Sequence, residues 1–249
     1  MKNYKFSIIT VTLNSEKFLE RCLNSVKNLN HKNFEHVIID GGSTDSTKKI
    51  LKNNETNFTK MIFEKDNGIW DAMNKGVKIS SGEIICFLNS DDHFYPDSLD
   101  IVNSYFNNFK IDFLFGSVKK YKIMHGYQPW KIKWSFGFYS SHSVGFFIKK
   151  DKHVQVGDYN NNFLSADLDF FYKMIVNYHF KGMSTKKDEV LGEFEKGGFS
   201  SRVNYLRHLR DLNEIRLCNK QSKIFVNFLF FVKILKKPIK FFRAMINND

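Results

Sequence analysis

The sequence predicts an α/β protein built on a largely parallel sheet, followed by a basic helical segment. Three observations predict this. Apolar runs alternate with helical periodicities over the first 115 residues, the pattern of successive strand–helix–strand units. Each run is followed by a cluster of Gly, Asp, Asn, Ser or Thr, the punctuation of turns and caps. Around Ser200 the composition shifts to Lys, Arg and large apolar residues.

Phe6 to Val11 reads as a buried strand. Phe18, Leu19, Cys22, Leu23, Val26 and Leu29 recur at helical spacing, and Asn14 or Ser15 stands ready to cap that helix. Val37-Ile38-Ile39 is a second strand; Asp40-Gly41-Gly42-Ser43-Thr44-Asp45 then supplies glycines and capping residues before a helix over Thr47 to Leu51. Met61-Ile62-Phe63 is a short strand leading to a helix that holds Trp70, Met73 and Val77. Ile84 to Leu88 reads as a strand buried on both faces, ending at Asn89-Ser90-Asp91-Asp92. Beyond Asp112 the pattern weakens: Phe113-Leu114-Phe115 and Val144 to Ile148 read as strands, Leu168 to Tyr178 as a helix. Pro238 is expected to end the last helix.

With 249 residues and 42% apolar content, the chain can bury a sizeable core, which excludes a disordered or fibrous protein. Cys22, Cys86 and Cys218 are widely spaced and odd in number, so neither a disulfide framework nor a cysteine zinc site is indicated. The opening residues lack a secretory apolar region, and a cytoplasmic protein is expected. The net charge is +12, and from Arg202 to Asp249 eleven Lys/Arg face only three Asp/Glu. Such charge often marks nucleic-acid binding. Here it is interleaved with an uncharged run, Ile224 to Val232, and a membrane surface is the better partner. That run is too short to span a bilayer, which takes about 20 apolar residues. Lys223, Lys233, Lys236, Lys237, Lys240 and Arg243 would reach anionic head groups. The plainer alternative is a helix packed on the rest of the protein with solvated lysines.

In open α/β sheets, ligands bind beyond the carboxyl ends of the strands. Four polar clusters fall there: Thr12-Leu13-Asn14, Asp40 to Ser43, Asp66-Asn67-Gly68, and Asn89 to Asp92. Each alone is an ordinary turn or cap; their coincidence on one sheet edge points to a ligand. The paired acids Asp91 and Asp92 close a buried strand, where like charges are costly without a cation. Mg²⁺ or Mn²⁺ needs few protein oxygens and fills its shell with water and phosphate oxygens. Asp167, in Ser165-Ala166-Asp167-Leu168-Asp169, begins a helical run. It is either a helix-dipole partner or a general base.

Ser7 to Asn14, Ile38 to Asp45, the string Asp66-Asn67-Gly68-Ile69-Trp70-Asp71-Ala72-Met73-Asn74-Lys75-Gly76, Gly82-Glu83, and Leu88 to Asp92 together resemble family 2 glycosyltransferases of the GT-A fold. The resemblance is strongest to the bacterial branch that builds exopolysaccharide, O-antigen and lipopolysaccharide. It implies a GT-A catalytic domain over residues 1–200, with a nucleotide-binding half at 1–115 and an acceptor-binding half at 116–200, and a helical membrane-associating tail at 201–249.

By that resemblance, Thr12, Asn14 and Asp40 match positions that hold the uracil and ribose of a UDP-sugar donor. Asp66 and Asn74 match polar positions of the same pocket, and Asp91 and Asp92 the metal-and-diphosphate motif, so that Asp91 also counts among the nucleotide contacts. Asp167 matches the base of an inverting transfer to a glycan hydroxyl, with a lipid-linked polyprenyl diphosphate saccharide the expected acceptor. His142 and Gly197-Gly198-Phe199-Ser200 resemble weaker signatures of that branch, and Trp130 and Trp134 are candidates to face a sugar. Val11 stands where proline is usual, Gly41 replaces a common second aspartate, Asn89 the first acid of the Asp-x-Asp pattern, and Ala166 a frequent glutamate. A protein acting at the cytoplasmic face of the inner membrane is expected. The rivals are an inactive relative that binds carbohydrate or nucleotide sugar, a nucleic-acid binder, and a nucleotidyltransferase. The last is disfavoured because residues 10 to 20 contain no glycine and only Lys17 as a base.

Overall fold

The computed structural model describes residues 1–135, 137–141, 143–195, 204–239, 241 and 245. Its strands are β1 (Phe6–Thr12), β2 (Phe34–Asp40), β3 (Lys60–Phe63), β4 (Ile84–Phe87), β5 (His93–Phe94), β6 (Phe113–Phe115), β7 (Ser117–Lys119), β8 (Ile123–Met124), β9 (Phe146–Lys149), β10 (Gly182–Ser184) and β11 (Val190–Glu193). Its helices are α1 (Leu19–Lys27), α2 (Thr47–Asn53), α3 (Ile69–Ile79), α4 (Ser98–Asn108), α5 (Lys150–Val156), α6 (Ala166–Tyr172), α7 (Tyr205–Cys218) and α8 (Lys223–Lys236).

Seven strands form the main sheet in the order β10-β6-β9-β4-β1-β2-β3, and a smaller sheet runs β5-β11-β7-β8. In the main sheet only β9 is antiparallel to its neighbours, β4 and β6. The chain steps outward from β1 to β2 and β3, then returns to place β4 on the other side of β1. That reversal creates a crevice at the carboxyl ends of β1 and β4.

β1 is buried along its whole length, and successive side chains feed opposite faces of the sheet. Ile9 and Val11 join a core layer with Met73 and Val77 of α3; Phe6 and Ile8 join another with Cys22 and Val26 of α1. The polar residues inside the sheet find cross-strand partners, as buried polar groups must. Ser7 Oγ donates to Glu35 at 2.6 Å, and Thr10 Oγ1 lies 3.0 Å from His36 Nε2. Burial pushes the His36 imidazole down to about 3, so it is neutral at physiological pH.

Several details depart from the sequence reading. Neither Asn14 nor Ser15 caps α1 with its side chain; the Ser15 carbonyl accepts the N–H groups of Phe18 and Leu19, and Phe18 occupies the cap. The segment after α6 continues as a π turn, Lys173–Asn177, extending the expected helix with a wider coil. The smaller sheet was not anticipated. α8 ends at Lys236, just ahead of Pro238. α7 buries Leu209, Leu212 and Ile215 and is capped by Asn204, which accepts from Leu206 and Arg207, while α8 rests on it through Val226 and Leu229. The expected boundary near residue 200 and the Gly197 to Ser200 signature lie outside the described residues.

Candidate functional site

The four strand-end clusters meet at the sheet edge where β1, β2, β3 and β4 end, and hydrogen bonds tie them together. Thr12 and Asp40 are register partners across β1 and β2. Asn14 takes a left-handed backbone, φ 49°, and its side-chain oxygen accepts the Thr44 N–H at 2.8 Å. Ser43 Oγ in turn accepts the Asn14 N–H at 2.9 Å. Ser90 Oγ donates to Ser15 Oγ at 2.7 Å, which joins the loop after β4 to the loop after β1. A rim so crosslinked is organised before any ligand arrives.

Asp40 is fully buried and occupied within its own loop: Oδ1 accepts the N–H groups of Gly42 and Ser43, and Oδ2 accepts Ser43 Oγ. Asp66 accepts the Gly68 N–H at 2.9 Å, and Gly68 holds φ 105° at the start of α3, a conformation that favours glycine. A Cβ on Gly41 would fall 2.3 Å from Asp66 Oδ2. The missing side chain at 41 is therefore what lets the Asp66 carboxylate lie against the β2 loop. Asn74 sits apart from this rim. It is buried on α3, and its amide exchanges two hydrogen bonds with the backbone of Tyr159, at 2.9 and 2.8 Å.

Asp91 and Asp92, adjacent in sequence, differ in environment. Asp92 is buried; its Oδ2 accepts Ser143 Oγ at 2.8 Å and its Oδ1 accepts the Glu195 N–H at 2.9 Å. Burial, then the Asp91 charge, pushes its carboxyl up to about 7 against those bonds. Asp91 is half-buried, and among the described residues no other residue donates to its carboxylate. Burial raises it too, with Glu195 adding to the rise. Arg21, reaching over from α1, donates to the Asp91 carbonyl and to Glu195, both at 2.7 Å.

Two buried oxygens at this edge, Thr12 Oγ1 and Asn89 Oδ1, have no hydrogen-bond partner. Unsatisfied buried groups are rare and costly, and here they lie at the end of β1 and on the loop after β4, which also carries Asp91, an acid that burial and Glu195 push toward its neutral form. Among the described residues no group of three or more His, Cys, Asp or Glu forms a metal cage. The donor set instead fits a water-rich divalent cation with one carboxylate from the protein and the remaining oxygens from a diphosphate and water.

Asp167 opens α6, and its Oδ2 accepts the Tyr139 hydroxyl at 3.0 Å. Burial pushes this carboxyl up to about 6, while the Tyr139 bond pulls it down. Two contacts place the segment in front of it. Trp70, on the first turn of α3, donates through Nε1 to the Leu164 carbonyl at 3.2 Å. Asp211 of α7 accepts the N–H groups of Leu164 and Ser165 at 2.9 Å each.

Trp130 and Trp134 are exposed and pack edge-on at 5.9 Å. No hydrogen bond or ring contact joins them to the strand-end rim among the described residues. His142 lies outside those residues. Ser143, Glu195, Arg21, Tyr139 and Asp211 were not anticipated; each is a polar residue without a motif around it, and no local signal marks it.

Residues 7–177 match the profile described as Glycosyl transferase family 2. A PGL/p-HBAD biosynthesis glycosyltransferase of Mycobacterium bovis (strain BCG / Pasteur 1173P2) is 36% identical over 118 residues, 45% of this chain and 46% of the relative. An uncharacterized glycosyltransferase of Mycobacterium tuberculosis (strain CDC 1551 / Oshkosh) is 38% identical over 89 residues, 35% of this chain and 34% of the relative. The chain thus spans less than half the length of these curated relatives. Among solved structures, S. aureus TarS in complex with UDP-GlcNAc superposes with a TM-score of 0.70 at 19% identity, covering 91% of this chain and 70% of that one. The mannosyltransferase PcManGT from Pyrobaculum calidifontis, in complex with GDP-Man and Mn2+, gives 0.69 at 16% identity, covering 99% and 74%. At such identities the likeness is one of fold, and the fold is GT-A.

Proposed function

The chain belongs to glycosyl transferase family 2, and from that membership we propose that it is an inverting glycosyltransferase moving a hexosyl or N-acetylhexosaminyl group from a UDP-sugar to a hydroxyl of a glycan acceptor. Residues 1–115 hold the donor and 116–200 receive the acceptor. The acceptor is a lipid-linked polyprenyl diphosphate saccharide in bacterial surface polysaccharide assembly. The enzyme works peripherally at the cytoplasmic face of the inner membrane, its 201–249 tail against the lipid. No helix among the described residues is long and apolar enough to cross a membrane.

The observation that carries the reading is the pre-tied rim at the β1/β4 crevice, where Thr12 Oγ1 at the end of β1 and Asn89 Oδ1 in the Asp91 loop are buried without partners. Thr12 and Asn14, with Asp66, face the nucleoside; Asp40 holds the loop they share, and Asn74 acts from behind by fixing α3 to Tyr159. Asp91 is the protein's ligand to Mn²⁺ or Mg²⁺, and Asp92 keeps the loop in shape through Ser143 and Glu195. A bound cation neutralises charge on the departing diphosphate.

Asp167 takes the proton of the acceptor hydroxyl as that oxygen bonds to the anomeric carbon and the bond to the diphosphate breaks, its electron pair leaving on UDP. A carboxyl held at about 6 is ionised at neutral pH yet basic enough to share a proton in the transition state. Calorimetric titration with UDP, with and without Mn²⁺, tests the donor site. Metal-strengthened UDP binding is expected; tighter binding of GDP moves the donor to another nucleotide series, and no binding of either overturns the assignment. UDP release from a panel of UDP-sugars, with a lipid-linked monosaccharide as acceptor, then identifies the sugar.

A further inference from the structure

Among the described residues, the far side of α8 has no partner. Ile224, Phe228, Phe231 and Leu235 are between 61% and 84% exposed, and steps of four, three and four residues align them in one stripe. The opposite stripe, Val226 and Leu229, is buried. A helix that is apolar on both faces needs a second apolar neighbour. The lysines bracket the stripe: Lys220 and Lys223 precede it, Lys236 and Lys237 follow it, all exposed, and α8 contains no acid. Lys233 points inward, where burial and then Arg216 push it down to about 8.

The tryptophan pair adjoins the start of this helix. Lys133, next to Trp134, has its carbonyl held by Arg216 and by Gln221 Nε2, and Gln221 lies two residues ahead of α8. Trp130 and Trp134 are 63% and 49% exposed, and Lys131 lies over the Trp130 ring at 5.1 Å. Exposed tryptophan beside lysine is the composition of a bilayer interface, where an apolar body meets a wet edge.

We propose that the outer stripe of α8 and the Trp130–Trp134 pair form one continuous surface that docks into the interface of an anionic bilayer. The proposal rests on the peripheral-membrane reading above, and it takes the tryptophans out of the sugar pocket. Fourteen helical residues extend about 21 Å, short of the ~30 Å hydrocarbon core, so the helix lies in the plane of the membrane. The lysine brackets select the partner. Pairing two copies through this stripe sets like charges against each other, whereas an anionic lipid surface is complementary to them.

Full-length protein is floated with vesicles of phosphatidylcholine and phosphatidylglycerol, some brominated in the acyl chains. Flotation is expected, weakened by high salt and reduced at least ~10-fold by combined Ile224→Ser, Phe228→Ser, Phe231→Ser and Leu235→Ser, given the apolar area removed; UDP affinity of that variant confirms an intact fold. Brominated lipid is expected to quench tryptophan emission, and Trp130→Phe with Trp134→Phe removes the quenching, because Trp70 is bonded to Leu164 inside the protein. Flotation without quenching overturns the continuous surface and leaves the membrane reading standing. Absence of flotation overturns both, with UDP binding reporting separately on the transferase assignment. Self-association that the serine substitutions abolish, in place of flotation, overturns the proposal in favour of a second copy.

Discussion

The Tyr139 hydroxyl donates to Oδ2 of Asp167 at 3.0 Å, so a loop residue moderates the basicity that burial confers on the acid at the start of α6. Burial raises that carboxyl to about 6 and the Tyr139 bond opposes the rise. Tyr139→Phe is therefore expected to move the acid limb of kcat/KM to higher pH by about one unit. Asp167→Asn should cost roughly two to four orders of magnitude in turnover and leave UDP affinity unchanged; a near-wild-type rate removes Asp167 from the mechanism. The folded-state value lies above the ordinary one, so the native protein binds the extra proton and loses stability as pH rises through about 6. Thermal melts should show Asp167→Asn stabilised relative to wild type at pH 8 and indistinguishable from it near pH 4.

Asp91 and Asp92 should separate cleanly. Asp91→Asn is expected to abolish the Mn²⁺ dependence of UDP binding without lowering the melting temperature, since no other described residue donates to its carboxylate and burial disfavours its charge. Asp92→Ala strips the partner from Ser143 Oγ and the Glu195 N–H and should destabilise by about 1–3 kcal/mol. Calorimetry and melting of the two variants check the division; metal dependence lost only in Asp92→Ala reverses it.

Gly41→Asp, which restores the aspartate common elsewhere in the family, should weaken UDP binding. Its Cβ would lie 2.3 Å from Asp66 Oδ2, and the new charge would face the old one, so Asp66 must leave the β2 loop. A variant that binds UDP as tightly as the parent would show that the two side chains can share this space.

Asp211 reaches from α7 to the Leu164 and Ser165 N–H groups, directly ahead of Asp167. Asp211→Asn replaces one acceptor by a donor, and a drop of about 1–3 kcal/mol in stability is expected. Turnover should fall while UDP affinity holds, because the segment it fixes leads into Asp167, the proposed base, and not into the strand-end rim. Unchanged kcat in a folded variant would confine Asp211 to stability.

The strand-end rim was legible because β1, β2 and β4 are buried on both faces and each carries a compact apolar stretch, stopped soon after by Gly, Asp or Asn. Periodicity has no direction, however, so the antiparallel course of β9 was not readable from Phe146 to Lys149. Strands of two to four residues such as β5, β7 and β8 carry too little pattern to announce a second sheet. Asn74 looked like a pocket residue because a motif surrounds it, yet its amide answers to Tyr159, 85 positions away. The same distance problem hid the difference between Asp91 and Asp92: the partners that bury Asp92 lie 51 and 103 residues downstream.

Because β9 runs against β4, it begins at the edge where β4 ends, and Ser143 meets Asp92 at that crossing. The stretch that leads into β9 is therefore delivered onto the rim from outside the parallel strands, seamed there by Ser143 and held further back by Tyr139 on Asp167 and by the Lys133 carbonyl on Arg216. Its exposed part around Trp130 can be lengthened without disturbing the register of β1, β2 and β4, at about 0.6 kcal/mol of closure entropy per doubling of loop length. Under the proposed division of labour, recognition of what receives the sugar can then diversify there while the parallel strands stay unchanged.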